Sequence, residues 1–179
     1  MPTQIFNCQC KKITMIKETL YNAFTKIGTS EKRNIIDFLY ANIENCIASK
    51  SDTLRVVENA VKDNRASFGG FILELSEANK ILGVAIVNQT GMEGITPKNV
   101  LVQIATSRDC DNELILKRLV KRVLVQTGGE LGLQILPDNP AISYFQNIGF
   151  RTSFLVMKYQ NPSAPSKVYR RYRTTIHNS

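Results

Sequence analysis

Histidine is nearly absent, and cysteine is sparse and unpatterned. The chain of 179 residues carries one histidine, His177, and four cysteines, Cys8, Cys10, Cys46 and Cys110. Cys8 and Cys10 form a lone C-x-C, which reads as two thiols on one face of a strand. A zinc site would want two more ligands at set spacing, and none stands nearby. Neither a metal centre nor a disulfide framework is expected. No apolar run reaches the roughly 18–20 residues that a membrane-spanning helix needs. The first residues, MPTQIFNCQCKK, lack a basic region followed by an apolar core. No signal peptide is read there, and a cytoplasmic location is expected. Repeats and low-complexity segments are missing, as are helix-turn-helix and aromatic RNA-binding signatures.

Acids are in short supply. There are 15 Asp and Glu against 23 Lys and Arg, a formal net charge of +8. Such an excess favours a polyanionic ligand: a cofactor phosphate, a nucleic acid or an acidic surface. Part of it lies in the last segment, where Lys167, Arg170, Arg171 and Arg173 occur with no acid after Tyr159. Tyr169 and Tyr172 interleave with these cations. The segment is either a grip on phosphates and unstacked bases or a solvated terminus.

The apolar fraction of 43% allows a sizeable core, and the length suits one α/β domain. Residues 3–9 read as a short strand. Ile13, Ile16, Leu20, Phe24 and Ile27 recur at steps of three and four, which predicts a helix over 12–27 closed by Gly28. A second helix is expected over 31–48, capped by Thr29 or Ser30, with Ile36, Leu39, Tyr40, Ile43 and Ile47 on its apolar stripe. A third is expected over 52–63, capped by Ser51 or Asp52, with Leu54, Val57 and Val61 facing inward. From about residue 66 the character changes. Residues 67–75 and 81–88 read as antiparallel strands joined by the turn Glu77-Ala-Asn-Lys80. Gly69, Gly70 and Gly83 in them mark bulges or close backbone approach. A loop over 89–98 leads to a third strand, 100–106. Leu114, Ile115, Leu119, Val120, Val123 and Leu124 trace a helix that Gly128-Gly129 ends.

The last part of the chain is the most telling. Leu131–Pro137 is a strand-like apolar run. Asp138–Phe150, DNPAISYFQNIGF, then reads as a short helix. Asp138 or Asn139 caps it, and Pro140 sits in its first turn, where a missing N–H costs nothing. Ala141, Tyr144, Phe145 and Ile148 recur at helical spacing, and Gly149 supplies a left-handed C-cap. Residues 154–159 form another strand-like run. The single domain spans 1–160, with a helical part over 10–65 and a sheet-rich core over 66–160. Residues 161–179 are a basic tail.

The pattern Asn/Asp-x-x-Ala-Ile-x-Tyr-Phe-x-x-x-Gly-Phe resembles the C-terminal motif of GNAT-superfamily N-acetyltransferases, in the form seen in the histone acetyltransferase branch. The order of elements agrees with that family from its first helices onward. The resemblance implies an α/β fold: a GNAT-like mixed central sheet flanked by helices. It also implies transfer of an acyl group from acetyl-CoA, or another acyl-CoA, to an amine, with no metal. The site would lie where the third and fourth core strands splay, near Thr106 and Asn139.

In the family, the strand matching Ile104, Ala105 and Thr106 pairs its backbone with the pantetheine arm, and the motif helix packs beside that arm. This implicates Asn139, Tyr144 and Phe145. The pyrophosphate turn of the family, Gln/Arg-x-x-Gly-x-Gly/Ala, falls on Arg108–Glu113. Arg108 is kept, but Asp111 and Glu113 stand where the glycines belong. Either Asp109, Asp111 or Asn112 simply caps the following helix, or Ser107, Arg108, Asn112 and loop N–H groups hold phosphate. The glutamate that acts as general base in the histone acetyltransferase branch falls on Asn99, which cannot take a proton. Glu93 is the nearest acid in sequence. The tyrosine that many members place four residues before Gly-Phe is Phe145 here, with Tyr144 one position earlier as the candidate acid. Two other readings stand beside the transferase: a catalytically silent GNAT-fold binding or regulatory protein, and a nucleic-acid-binding protein using the basic tail.

Overall fold

In a computed structural model, residues 15–43, 49–62, 69–92, 94, 96–110, 112–135 and 137–153 are described. The expected strands at 3–9 and 154–159, the basic tail, Glu93 and Asp111 lie outside them. So do Cys8, Cys10 and Cys46. The elements run β1 Lys17–Asn22, α1 Thr29–Asn42, α2 Lys50–Ala60, β2 Gly70–Glu77, β3 Lys80–Gln89, β4 Asn99–Thr106, α3 Asn112–Gln126, β5 Gly132–Leu133 and α4 Ala141–Asn147. The described strands form a sheet in the order β1-β2-β3-β4-β5. The first four pair antiparallel. β5 joins β4 in parallel.

Both faces of the sheet are covered, which is why β2 and β3 read as nearly continuous apolar runs. Phe71, Leu73, Leu75, Ala85 and Val87 point to one side and meet Ile115, Leu119, Val120 and Val123 of α3 and Phe145 of α4. Ile72, Val84 and Ile86 point to the other and meet Ile35, Ile36 and Leu39 of α1 and Val57 and Ala60 of α2. The β2–β3 turn is as expected. Ala78 and Asn79 both adopt positive φ, 47° and 65°, the geometry that suits the twist of a two-residue hairpin.

The helix expected over 12–27 is instead β1. Ile16 and Leu20 are four apart, and that spacing fits one face of a strand as well as one face of a helix. Leu20 sits opposite Leu73 and Tyr21 opposite Ile72, so the two side chains pack into the two opposite cores. Beyond Asn22 the chain turns. Asn22 Oδ1 accepts the N–H groups of Phe24 and Thr25 at 2.9 and 3.0 Å. Phe24 is left 92% exposed, outside any apolar stripe. Gly28 therefore closes no helix. It is the N-cap of α1, and its N–H donates to the Glu31 carboxylate at 2.6 Å.

The caps of the first two helices also differ from expectation. α1 begins at Thr29 and ends at Asn42, with extended backbone at Ile43. α2 is capped by Ser49, ahead of Ser51 and Asp52. Asp52 N–H donates to Ser49 Oγ at 3.2 Å and Ser49 N–H donates to Asp52 Oδ2 at 3.0 Å, a reciprocal capping box. The buried face of α2 is Thr53, Val57 and Ala60, and Leu54 faces out. Across the sheet, Glu18 of β1 accepts from Arg118 at 2.9 Å and Arg122 at 2.7 Å, tying β1 to α3.

Candidate functional site: the open edge of β4 and the turn after it

The strand expected over 131–137 is only two residues long. β5 pairs with β4 at Val100↔Gly132 and Leu101↔Leu133. Beyond Leu101, among the described residues, no strand pairs with that side of β4. Backbone direction fixes what the open side offers. Ser107 N–H donates to Leu82 O of β3 at 2.8 Å, and strand backbone alternates. The N–H and C=O of Ala105 thus turn toward β3, and those of Ile104 and Thr106 turn toward the open side. The Ala105 carbonyl does lie against β3, 3.3 Å from where a Cβ on Gly83 would be. Of the three residues expected to meet a pantetheine arm, Ile104 and Thr106 thus turn their backbone groups to the open side and Ala105 turns them to β3.

The turn after β4 is built differently from an open phosphate cradle. Ser107 is buried, and its Oγ accepts Asp109 N–H at 3.3 Å. Its carbonyl accepts Cys110 N–H at 3.4 Å and Cys110 S–H at 3.1 Å. Asp109 pairs with Lys80 of the β2–β3 turn at 2.9 Å. Glu113 stands in the first turn of α3. Ser107, Arg108 and Asp109 line a cleft of about 530 Å³ with Asn34, Asp37 and Lys80. Of Asn112, the backbone opens α3 and the side chain is outside the described atoms.

The α4 motif forms as its residues require. Asn139 Oδ1 accepts Ala141 N–H at 2.9 Å, so this side chain caps the helix. Gly149 has φ 104°. Its N–H donates to Gln146 O and Phe150 N–H donates to Phe145 O, both at 3.0 Å. The rings of Phe145 and Phe150 stand edge to face at 5.4 Å. That is a Schellman close with its apolar contact.

Phe145 is buried in the core beneath α3. Tyr144, one residue and about 100° earlier, points elsewhere. It lines a groove of about 810 Å³ between α3 and α4, with Leu114, Lys117, Lys121, Leu124 and Ile148. Its hydroxyl is buried, with no hydrogen-bond partner among the described residues. Burial, and then the Glu113 charge, push the phenol above its ordinary value, so it stays protonated at neutral pH. No described β4 residue lines this groove. The structure thus parts the expected site residues: Ser107 and Arg108 face one cleft, Tyr144 another, and Ile104 and Thr106 line the open edge between the splayed strands.

Asn99 is buried, and its Nδ2 donates to Glu130 O at 3.2 Å. It anchors the loop after α3. Two groups at the turn were not among the expected site residues. Lys80 reaches it from a hairpin distant in sequence, and Leu82 supplies the carbonyl that occupies Ser107 N–H. Only the β2–β3 turn signal placed Lys80 near a strand end.

The strand order, the break between β4 and β5, and the helices on each face can now be set against known proteins. No protein-family model matches the sequence, and no curated protein matches it. Solved structures do match. A putative acetyltransferase of the GNAT family from Desulfovibrio desulfuricans aligns with a TM-score of 0.59 at 12% identity, over 77% of this chain and 87% of that one. A GNAT-family acetyltransferase from Streptococcus pneumoniae aligns at 0.55 and 12%, over 83% and 99%. The aminoglycoside N-acetyltransferase AAC(6')-Iy, solved with CoA, aligns at 0.56 and 12%, over 83% and 97%. The chain has the GNAT fold. The open side of β4 lies next to β5, and the residues after Thr106 lead into α3. Among the described residues no helix is long and apolar enough to cross a membrane.

Proposed function

We propose that this chain is an N-acyltransferase that moves an acyl group from a pantetheine thioester, as in acyl-CoA, to an amine. The observation that carries the reading is that, among the described residues, no strand pairs with the outer side of β4 beyond Leu101. Its N–H and C=O groups at Ile104 and Thr106 suit the amides of a pantetheine arm, which can dock there like an added strand. The GNAT fold, and structural neighbours that are acetyltransferases, one of them solved with CoA, support the choice of chemistry.

In the reaction, the amine nitrogen attacks the thioester carbonyl carbon. The C–N bond forms, the C–S bond breaks, and the proton lost by nitrogen ends on the released thiol. The N–H groups of the β4 edge hold and orient the donor. Tyr144 carries a proton at neutral pH, but it lies in a groove that no described β4 residue lines, so we assign it no role toward a thioester on the β4 edge. Tyr144→Phe should then leave kcat and KM unaltered, and a lowered kcat returns Tyr144 to the chemistry.

The experiment that tests the function is amine-dependent thiol release. Acetyl-CoA and S-acetylpantetheine serve as donors, and peptide, polyamine and aminoglycoside amines as acceptors. Thr106→Pro removes one N–H from the open side and none from the β3 ladder. It should leave the fold intact and weaken donor binding about 2- to 10-fold, the worth of one hydrogen bond. Thiol release that no amine stimulates, with either donor, refutes the function.

A further inference from the structure

We infer that the donor is recognised through its pantetheine arm and thioester, and not through a nucleotide pyrophosphate. The inference rests on the acyl-transfer reading above. It widens the substrate class to acyl-pantetheine thioesters with or without a nucleotide.

A pyrophosphate is held where several N–H groups converge with no other partner and the local charge is positive. Three of the described N–H groups in the turn after β4 are already spent, and carboxylates stand beside them. The N–H groups of Ser107, Asp109 and Cys110 donate to Leu82 O, Ser107 Oγ and Ser107 O, so a phosphate oxygen would have to displace bonds already made. Ser107 is 5% exposed, and its Oγ already accepts the Asp109 N–H. The charge is also wrong. Asp109 takes up the Lys80 ammonium. Glu113 sits in the first turn of α3, where the helix dipole would otherwise favour an anion. Arg108 remains, but it shares its cleft with Asp37 and Asp109. The open side of β4 carries none of these obstacles. One half of a nucleotide-thioester site is therefore open, and in the other half the N–H groups of Ser107, Asp109 and Cys110 are already bonded within the protein.

Binding to the full chain, measured by calorimetry at about 0.15 M salt, separates the possibilities. A cradle making two charge-assisted hydrogen bonds to phosphate would favour acetyl-CoA over S-acetylpantetheine by at least about 100-fold. We expect S-acetylpantetheine to bind and the two Kd values to lie within about tenfold of each other. We also expect Glu113→Gln to tighten acetyl-CoA several-fold and to leave S-acetylpantetheine unmoved. Acetyl-CoA binding more than about tenfold tighter than S-acetylpantetheine overturns this inference and leaves the acyl-transfer reading standing. So does a Glu113→Gln variant with unchanged acetyl-CoA affinity. Absence of binding by both compounds overturns the two together.

Discussion

Gly83 lies in the middle of β3, beneath α3, and has no room for a side chain. A Cβ there would stand 2.8 Å from Ile115 Cγ2, 2.8 Å from Leu119 Cδ1 and 3.3 Å from the Ala105 carbonyl oxygen. Carbon atoms prefer separations of about 3.5–4.0 Å, so each methyl would have to yield by roughly 1 Å. Neither can do so freely. Leu119 is fully buried, and Ile115 is 3% exposed. Overpacking of this kind costs about 1–3 kcal/mol. Alanine returns about 0.4–1 kcal/mol by stiffening the unfolded chain. Gly83→Ala should therefore destabilise by about 1–2 kcal/mol, or about 2–8 °C in Tm for a chain of this size.

Urea unfolding gives the measurement, as a lower midpoint at unchanged slope. The mechanism is tested by a second change. Leu119→Ala alone should cost about 2–5 kcal/mol by opening a cavity. In that background the Leu119 contact is gone while the Ile115 contact stays, and Gly83→Ala should cost less than it does in the wild type. The double-mutant cycle should show a coupling of about 0.5–1 kcal/mol. A neutral Gly83→Ala, or costs that simply add, would refute the claim that α3 rests directly on the β3 backbone.

Asn139→Ala removes the oxygen that caps α4 and should cost about 1 kcal/mol, with Asn139→Asp close to wild type in thermal melts. The Tyr21 phenol is pushed up to about 12, first by burial and then by Glu74 and Glu31. The folded state thus holds this proton more tightly than the unfolded chain does. The stability it contributes is complete below pH 10 and is lost as pH rises toward 12. Tyr21→Phe should flatten the fall in urea midpoint over that range. Glu18→Gln breaks the bridge from β1 to Arg118 and Arg122. It should cost up to about 1 kcal/mol at low ionic strength and little in concentrated salt.

Much of the fold was legible in the sequence because it rests on local rules. Short apolar runs bounded by turn residues marked β2, β3 and β4. A 3.6-residue stripe marked α3, and the residues from Asn139 to Phe150 specified their own helix, cap and Schellman close. That motif, with the order of elements, pointed to the GNAT fold that the structure shows. Ambiguity entered where two periods coincide. Ile16 and Leu20, four apart, satisfy a helix and a strand alike. The partner that decides between them, β2, lies far along the chain. Ser49 went unread as a cap because the capping box works through backbone N–H groups and Asp52, with no apolar signal to mark it.

For the site, the sequence determined which residues stand on β4 and in the turn after it, and that carboxylates replace glycines there. It also determined that Tyr144 and Phe145 must point about 100° apart. Only the tertiary structure decided that β5 leaves β4 after two paired residues, which opens the side of Ile104 and Thr106. Only it decided that Leu82 and Lys80, from a different hairpin, occupy the groups a phosphate would need. The physical reason is one of range. Helix caps and strand alternation are settled by neighbours a few residues away, whereas a free or a spent backbone N–H depends on which distant carbonyl the fold brings within 3 Å of it.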